Sequence, residues 1–217
     1  MPRGFTELEK NTIQERLLKA GRERFARYGL RKTNVEELTR AAGISKGAFY
    51  LFYDSKEALY FHVMAHVEAE IQANMLEAVR RSGELSAESF KQFLHTALDI
   101  LQTHPFFANA SGEDYQSLLG KIPQEQVQEG IRADEAYVAL LIDAWREKGL
   151  EIDYPPRIVS ALLRSLVFIS LHRDDYEPSV YEETMDLLVD MVAERLAGRT
   201  APTIGTAETK DESTWQR

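Results

Sequence analysis

The stretch Thr33 to Lys56, TNVEELTRAAGISKGAFYLFYDSK, constrains this chain more than any other. Thr33 precedes Glu36 by three residues, the spacing of a capping box in which hydroxyl and carboxylate each satisfy an orphan backbone amide. Val35, Leu38 and Ala41 or Ala42 then recur at helical spacing. Gly43 stands where a helix ends in a left-handed residue, and Ser45 is a good N-cap for the next helix. Ile44 before that cap and Phe49 at its fourth helical position have the spacing of a hydrophobic staple. Two capped helices around a short glycine-containing turn form a helix-turn-helix pattern.

The second of these helices is unusual. With Phe49 inward and about 100° per residue, Phe52, Tyr53 and Lys46 fall near the inward side. Gly47, Ala48, Tyr50 and Leu51 fall outward or on the flanks. A solvated face would carry charge. A small, nearly flat face with Lys46 at its entrance suits close approach to a nucleic-acid groove. The plainer reading is a surface helix covered by a neighbouring domain.

Together with other residues this run resembles the DNA-binding domain of the TetR family of transcriptional regulators. The matching pieces are Ala20, Phe25 and Gly29, then Thr33, then AAGISKGAFY across the turn, then SKEAL at 55–59, so the resemblance covers roughly residues 10–60. Ala48 stands where a threonine is common, and Phe52 where tyrosine or histidine is common. The resemblance implies an all-α protein. An N-terminal three-helix DNA-binding domain, 1–54, is joined by a long helix to a helical effector-binding and dimerisation domain, 55–197, with a flexible tail at 198–217. The expected DNA contacts are Thr33, Ser45, Lys46, Gly47, Ala48, Tyr50, Leu51 and Lys56.

Charge distribution agrees with that division. The 217 residues carry a net −9, which by itself argues against a nucleic-acid partner. Residues 1–56 hold twelve Lys and Arg against seven Asp and Glu, a net +5, and the remainder carries −14. A basic quarter can meet phosphates while an acidic body is repelled, which orients the approach. Chance clustering of solvated charge is the alternative. Hydrophobic residues make up 44%, enough for a sizeable core. The chain has no cysteine, which excludes disulfides, thiolate zinc sites and cysteine nucleophiles. No apolar run reaches the length of a membrane span, and MPRGFTELEKN has no apolar signal core, so the expected compartment is the cytoplasm.

Periodicity places a first helix over 7–28, with Ile13, Leu17, Ala20 or Gly21, Phe25 and Tyr28 on one stripe and Gly29 ending it. Arg3 and Lys10 could reach the DNA backbone or be mobile surface charge. A long helix begins near Ser55 and runs to about Arg81 along Leu59, Val63, Val67, Ile71, Met75 and Val79. Lys56 in its first turn could act with the helix N-terminus on one phosphate. Further helices are expected over 86–103, from Pro123 to Gly149 with a possible interruption at Gly130, and near 156–173 and 178–197. Tyr137, Leu140, Leu141 and Ala144 should form the buried stripe of the helix before Gly149. The last two helices are apolar around more than one face. The surplus suggests a dimeric four-helix bundle using Leu162, Leu166, Ile169, Tyr181, Met185, Leu188 and Val192. Central burial within one chain is the alternative.

Catalytic and metal motifs are absent. His62 and His66 share a helical face, but no acidic residue makes an HExxH pair and no third ligand is visible. They read equally as exposed or pocket-lining histidines. His95 groups with Lys91, Asp99 and Gln102 on a polar face. There is no GxSxG elbow or glycine-rich phosphate loop. No enzyme activity, cofactor or metal is expected. Aromatic residues exceed what stripe filling needs in the middle of the chain, either as core or as an effector pocket. The candidate ligand contacts are His62, His66, Phe93, Phe107, Tyr115 and Trp145.

Three functions follow. The first is a homodimeric regulator, a repressor released from a palindromic DNA operator by a small apolar or amphipathic ligand. The second is an effector-free DNA-binding dimer whose C-terminal domain only dimerises or docks another protein. The third is a metalloenzyme using the two histidines. A cavity in the middle domain separates the first two, and metal content tests the third.

Overall fold

The computed structural model describes residues 5–108, 118 and 120–197. Among these, every regular element is a helix. Helix α1 spans Glu7–Lys32 and opens on a capping box between Thr6 and Glu9. Helical geometry breaks at Gly29, at φ 72° and ψ 175°, where the first helix was expected to end, and a short second helical piece follows to Lys32. Tyr28 lies 40% exposed beneath Arg24 and Arg27, and Leu30 takes the buried position beyond it.

Helix α2 spans Val35–Ala42 and α3 spans Lys46–Phe49. The N-cap of α2 is Asn34, whose side chain accepts from the Glu37 amide, so the expected Thr33–Glu36 box is shifted by one residue. Gly43 ends α2 at φ 74°, ψ 32°, the left-handed conformation its position calls for. Ser45 caps α3 through the Ala48 amide.

Helix α4, Lys56–Arg81, is capped by Ser55. Helix α5 spans Ala87–Thr103, α6 Gln124–Glu147, α7 Pro156–Leu171 and α8 Pro178–Ala197. Gly130 does not interrupt α6. A short 3-10 turn, Arg173–Asp175, separates α7 from α8. No helix among the described residues is long and apolar enough to cross a membrane.

Helix α4 takes part in two cores. Its first half places Leu59, Tyr60, Val63, Met64 and Val67 in a cluster with Leu17, Phe25, Leu38 and Phe49. Phe106, Leu118 and Ile122 complete that cluster. Its second half gives Leu76 and Val79 to a cluster drawn from α5 to α8 around Trp145, Phe90 and Val159. One continuous helix thus joins the helix-turn-helix part, the reader, to the remaining helices, the body. Leu140, expected on the buried face of α6, is 50% exposed, and Val138 is buried instead. His95 is half-buried, 3.9 Å from Asp186 on α8, rather than free in solvent.

Three of the interface residues expected on α7 and α8 are buried within the chain. Leu166, Tyr181 and Met185 are only 4–8% exposed and belong to the chain's own core. Leu162, Ile169, Leu188 and Val192 are half-buried against the same core. Other apolar residues are exposed. They are Ile158 and Phe168 on α7, and Val180, Leu187 and Met191 on α8. The two helices carry apolar surface on more than one face, and the most exposed apolar residues lie beside the half-buried ones expected.

Candidate nucleic-acid interface

The helix-turn-helix is held from beneath by Phe49 and Leu38, both fully buried. Tyr50 stacks edge-on against Phe49 with ring centres 5.3 Å apart. Helix α3 itself has one α-helical turn. It tightens through bonds from the Leu51 amide to the Ala48 carbonyl and from the Phe52 amide to the Phe49 carbonyl, so a helical path continues to about Tyr53. Gly47, Tyr50 and Leu51 are exposed, and Ala48 is half-buried. A Cβ on Gly47 would meet only the Ser45 Oγ, at 4.0 Å. The outer face is therefore small and uncharged apart from Lys46.

Lys46 was expected near the inward side but is exposed, and its ammonium donates to Glu36 on α2 at 2.5 Å. The hydrogen bond to Glu36 holds the lysine above its ordinary pKa and the carboxylate below its own. Such an exposed pair costs little to exchange for a phosphate. Ser45 is exposed while its hydroxyl caps α3.

Two expected DNA contacts are engaged elsewhere. Thr33 is 1% exposed and its hydroxyl donates to the Gly29 carbonyl at 2.9 Å. Lys56 lies at the start of α4, but its Nζ donates to the carbonyls of Leu30 at 2.7 Å and Thr33 at 2.8 Å. The kink after Gly29 leaves these carbonyls without the partners a continuing helix would give them, and the ammonium supplies them.

The candidate ligand residues are dispersed. Trp145 is fully buried between the edges of Phe90 and Phe93, at 4.9 and 5.2 Å, and serves as core. Phe93 borders a small, partly open apolar pocket of about 90 Å³ among α4, α5, α6 and α7, together with Tyr137 and Leu166. The Tyr137 hydroxyl is buried without a hydrogen-bond partner. Phe107 packs on Phe106 in the first core. Tyr115 lies outside the described residues. His62 lines a cleft of about 880 Å³ between reader and body, while His66 is exposed with its ring 4.8 Å from that of His62. Among the described residues no group of three His, Cys, Asp or Glu side chains could hold a metal.

Sequence reasoning missed the polar part of that cleft, formed by Glu68, Asp134 and Arg164. One signal was available. Arg164 is the only charge between Arg157 and Arg173 in an otherwise apolar helix.

The family model for bacterial regulatory proteins of the tetR family matches residues 17–63, from within α1 through α3 to the first part of α4. Over that stretch the chain is similar to tetR-family regulators. The chain is 30% identical over 125 residues to the uncharacterized HTH-type transcriptional regulator YdgC of Bacillus subtilis. That match covers 53% of the chain and 64% of YdgC, so the chain spans less than two thirds of this relative's length. A tetR-family transcriptional regulator from Pectobacterium atrosepticum shares the fold at a TM-score of 0.69 and 18% identity, over 91% of this chain and all of that one. Thermus thermophilus FadR, a repressor solved in complex with lauroyl-CoA, shares it at 0.60 and 23%, over 88% and 99%. These matches are regulators, and none is an enzyme.

Proposed function

We propose that the chain is a sequence-specific DNA-binding transcriptional regulator, a homodimeric repressor released from a palindromic operator by a small ligand. The observation that supports this most is the exposed face of α3. It is small, nearly uncharged and entered by Lys46, it projects from a capped helix-turn-helix, and it lies in the one net-positive part of the chain. Gly47, Ala48, Tyr50 and Leu51 would meet base edges. Lys46 would exchange Glu36 for a phosphate.

In a symmetric dimer two such faces point in opposite directions. They meet successive major grooves when their spacing is about 34–36 Å. A ligand that favours another spacing lowers DNA affinity by population shift. The first 54 residues act as the reader in this proposal, and residues from Ser55 to Ala197 form the body that dimerises and receives the ligand. The effector-free alternative draws support from the small apolar pocket beside Phe93. About 90 Å³ is well below the roughly 300–1,000 Å³ of sites for drug-sized ligands. The 880 Å³ cleft favours the ligand-responsive reading.

The test is selection of DNA fragments from a random pool by the full chain, followed by titration of the selected fragment at several salt concentrations. Tyr50→Ala should weaken binding by roughly 1–3 kcal/mol with the fold intact. Lys46→Ala should lower the salt slope by about one and weaken all sequences alike. Gly47→Leu has open space for its side chain and should fold, yet it should not enter the groove. Tight binding by Gly47→Leu overturns the assignment of α3.

A further inference from the structure

The cleft between reader and body has two walls of different origin. Residues 50–54, the segment that leaves α3, form one wall. The middle of α6, with Arg164 and Phe168 of α7, forms the other, and α4 is the floor. Glu68 lines it from that floor. No hydrogen bond or ion pair satisfies the Glu68 carboxyl among the described residues. Asp134 stands near it on α6, and its Oδ1 accepts from Gln72 at 3.2 Å. The other Asp134 oxygen is 4.0 Å from Arg164 Nη1, beyond hydrogen-bond reach, and that Nη1 is itself buried without a hydrogen-bond partner.

The charge in the cleft is unbalanced. Glu68 and Asp134 face a single guanidinium, and the two further charged groups at the rim, Asp54 and Glu129, are also acidic. Burial first, and Asp134 second, push the Glu68 carboxyl up to about 8. Burial first, and the neighbouring His66 second, hold His62 below its ordinary value. Glu68 is half-buried, and a carboxyl drawn out of water without a partner is costly unless something satisfies it. Apolar surface lies beside it. Phe61 and Phe168 line the same cleft, and the Phe61 ring reaches to 3.9 Å from where a Cβ would stand on Gly130. Aromatic faces attract cations, most strongly when both are desolvated.

We propose that this cleft binds a lipophilic organic cation, its ammonium beside Glu68 and Asp134 and its apolar part against Phe61 and Phe168. The cation replaces the Glu68 proton, so binding releases up to one proton to solvent and leaves a carboxylate–ammonium pair. Because residues 50–54 form one wall, an occupant also sets the tilt of the reader on the body. This last consequence rests on the regulator reading. The binding itself does not.

The experiment uses the full chain and three probes on a common phenylpropyl frame. They are 3-phenylpropyltrimethylammonium, neutral 3-phenylpropanol and anionic 3-phenylpropionate, titrated by calorimetry from pH 6 to 9. The quaternary cation should bind at least tenfold more tightly than the alcohol at pH 8. Its affinity should rise by up to tenfold per pH unit below about 8 and level off above, because the bound form requires an ionised Glu68. Glu68→Gln should lose at least tenfold in cation affinity together with the pH dependence, and Asp134→Asn should lose affinity as well. The pH profile of the unmodified chain stands even where a variant fails to fold. Equal binding of cation and alcohol overturns the proposal, as does tighter binding of the propionate. Persistence of the pH dependence in Glu68→Gln also overturns it. If the selected DNA binds and the cation does not, this inference falls and the regulator reading stands. If the cation binds and no DNA is ever selected, the reverse holds. With both intact, the cation should change DNA affinity by the factor by which DNA changes cation affinity.

Discussion

Glu68 should make the stability of the whole chain depend on pH in a direction opposite to most carboxylates. Its folded pKa, about 8, lies above the ordinary 4.5 because of burial and then Asp134. A group shifted upward contributes its full stability below the unfolded value, and that contribution is lost as pH rises toward the folded one. The loss should therefore run from about pH 5 to pH 8. At about 1.4 kcal/mol per pH unit, the total is at most about 5 kcal/mol. Thermal melts of the unmodified chain and Glu68→Gln should diverge across that window, the variant holding its melting temperature at alkaline pH. Parallel melting curves from pH 5 to 9 would show that the carboxyl is not buried as described. None of this was legible in the sequence, where Glu68 is one charge among several on a long amphipathic helix. Lys56 shows the same limit. Its place in the first turn of α4 was readable, but its partners are carbonyls 26 and 23 residues earlier, exposed by a kink whose geometry no local pattern reveals. Thr33 was misread for a related reason. Thr33 and Asn34 are both good capping residues, and burial of the threonine hydroxyl against Gly29 leaves the cap to the asparagine.

Helices α1 and α4 approach closely where α1 has Gly21. A Cβ placed there would stand 2.9 Å from Val63 Cγ2 and 3.2 Å from the Phe25 ring. Gly21→Ala sets two effects against each other. Alanine is the better helix former by up to about 1 kcal/mol. Forcing a methyl into a filled contact costs about 1–3 kcal/mol. The neighbours decide the sign. Val63 is 2% exposed and branched at Cβ, and Phe25 and Leu59 are fully buried, so no flexible end can yield. The substitution should lower the urea midpoint of the reader. A more stable Gly21→Ala protein would mean that the two helices slide apart freely. At this scale the sequence was most informative. Capping residues and single-faced stripes located α2, α4, α5 and α8 to within a residue or two, because each signal is local. Orientation was harder where a helix is apolar on several faces. The count of apolar residues on α7 and α8 showed that surface would be left over, but which stripe turns inward depends on the crossing with α5 and α6.

Leu187 and Met191 on α8, 61% and 57% exposed, continue one helical stripe with Val180, and Ile158 on α7 is exposed as well. Apolar surface on two neighbouring helices has the form of half of a four-helix bundle, completed when a second copy presents the same surface. In that arrangement the readers lie at the far ends of two α4 helices, and the dimer contact sets their spacing for a given tilt of reader on body. The charge division gives the same polarity to the molecule, with a basic end toward DNA and an acidic body away from it, and this much was readable from composition. The substitutions that test the dimer differ from those suggested by helical periodicity. Leu166→Glu buries a charge in a position only 4% exposed, and it should unfold the body rather than separate two chains. Leu187→Glu and Met191→Glu place the charge on the outward stripe. They should leave helix content and the cooperativity of melting unchanged, while sedimentation shifts from dimer to monomer at micromolar concentration. The selected palindromic DNA should then lose affinity by far more than either half-site does, because two linked readers gain from effective concentration and one does not. If Leu187→Glu remains dimeric and Leu166→Glu yields a folded monomer, the inward and outward faces of α7 and α8 are exchanged in solution, and the four-helix contact must be rebuilt on the first set of residues.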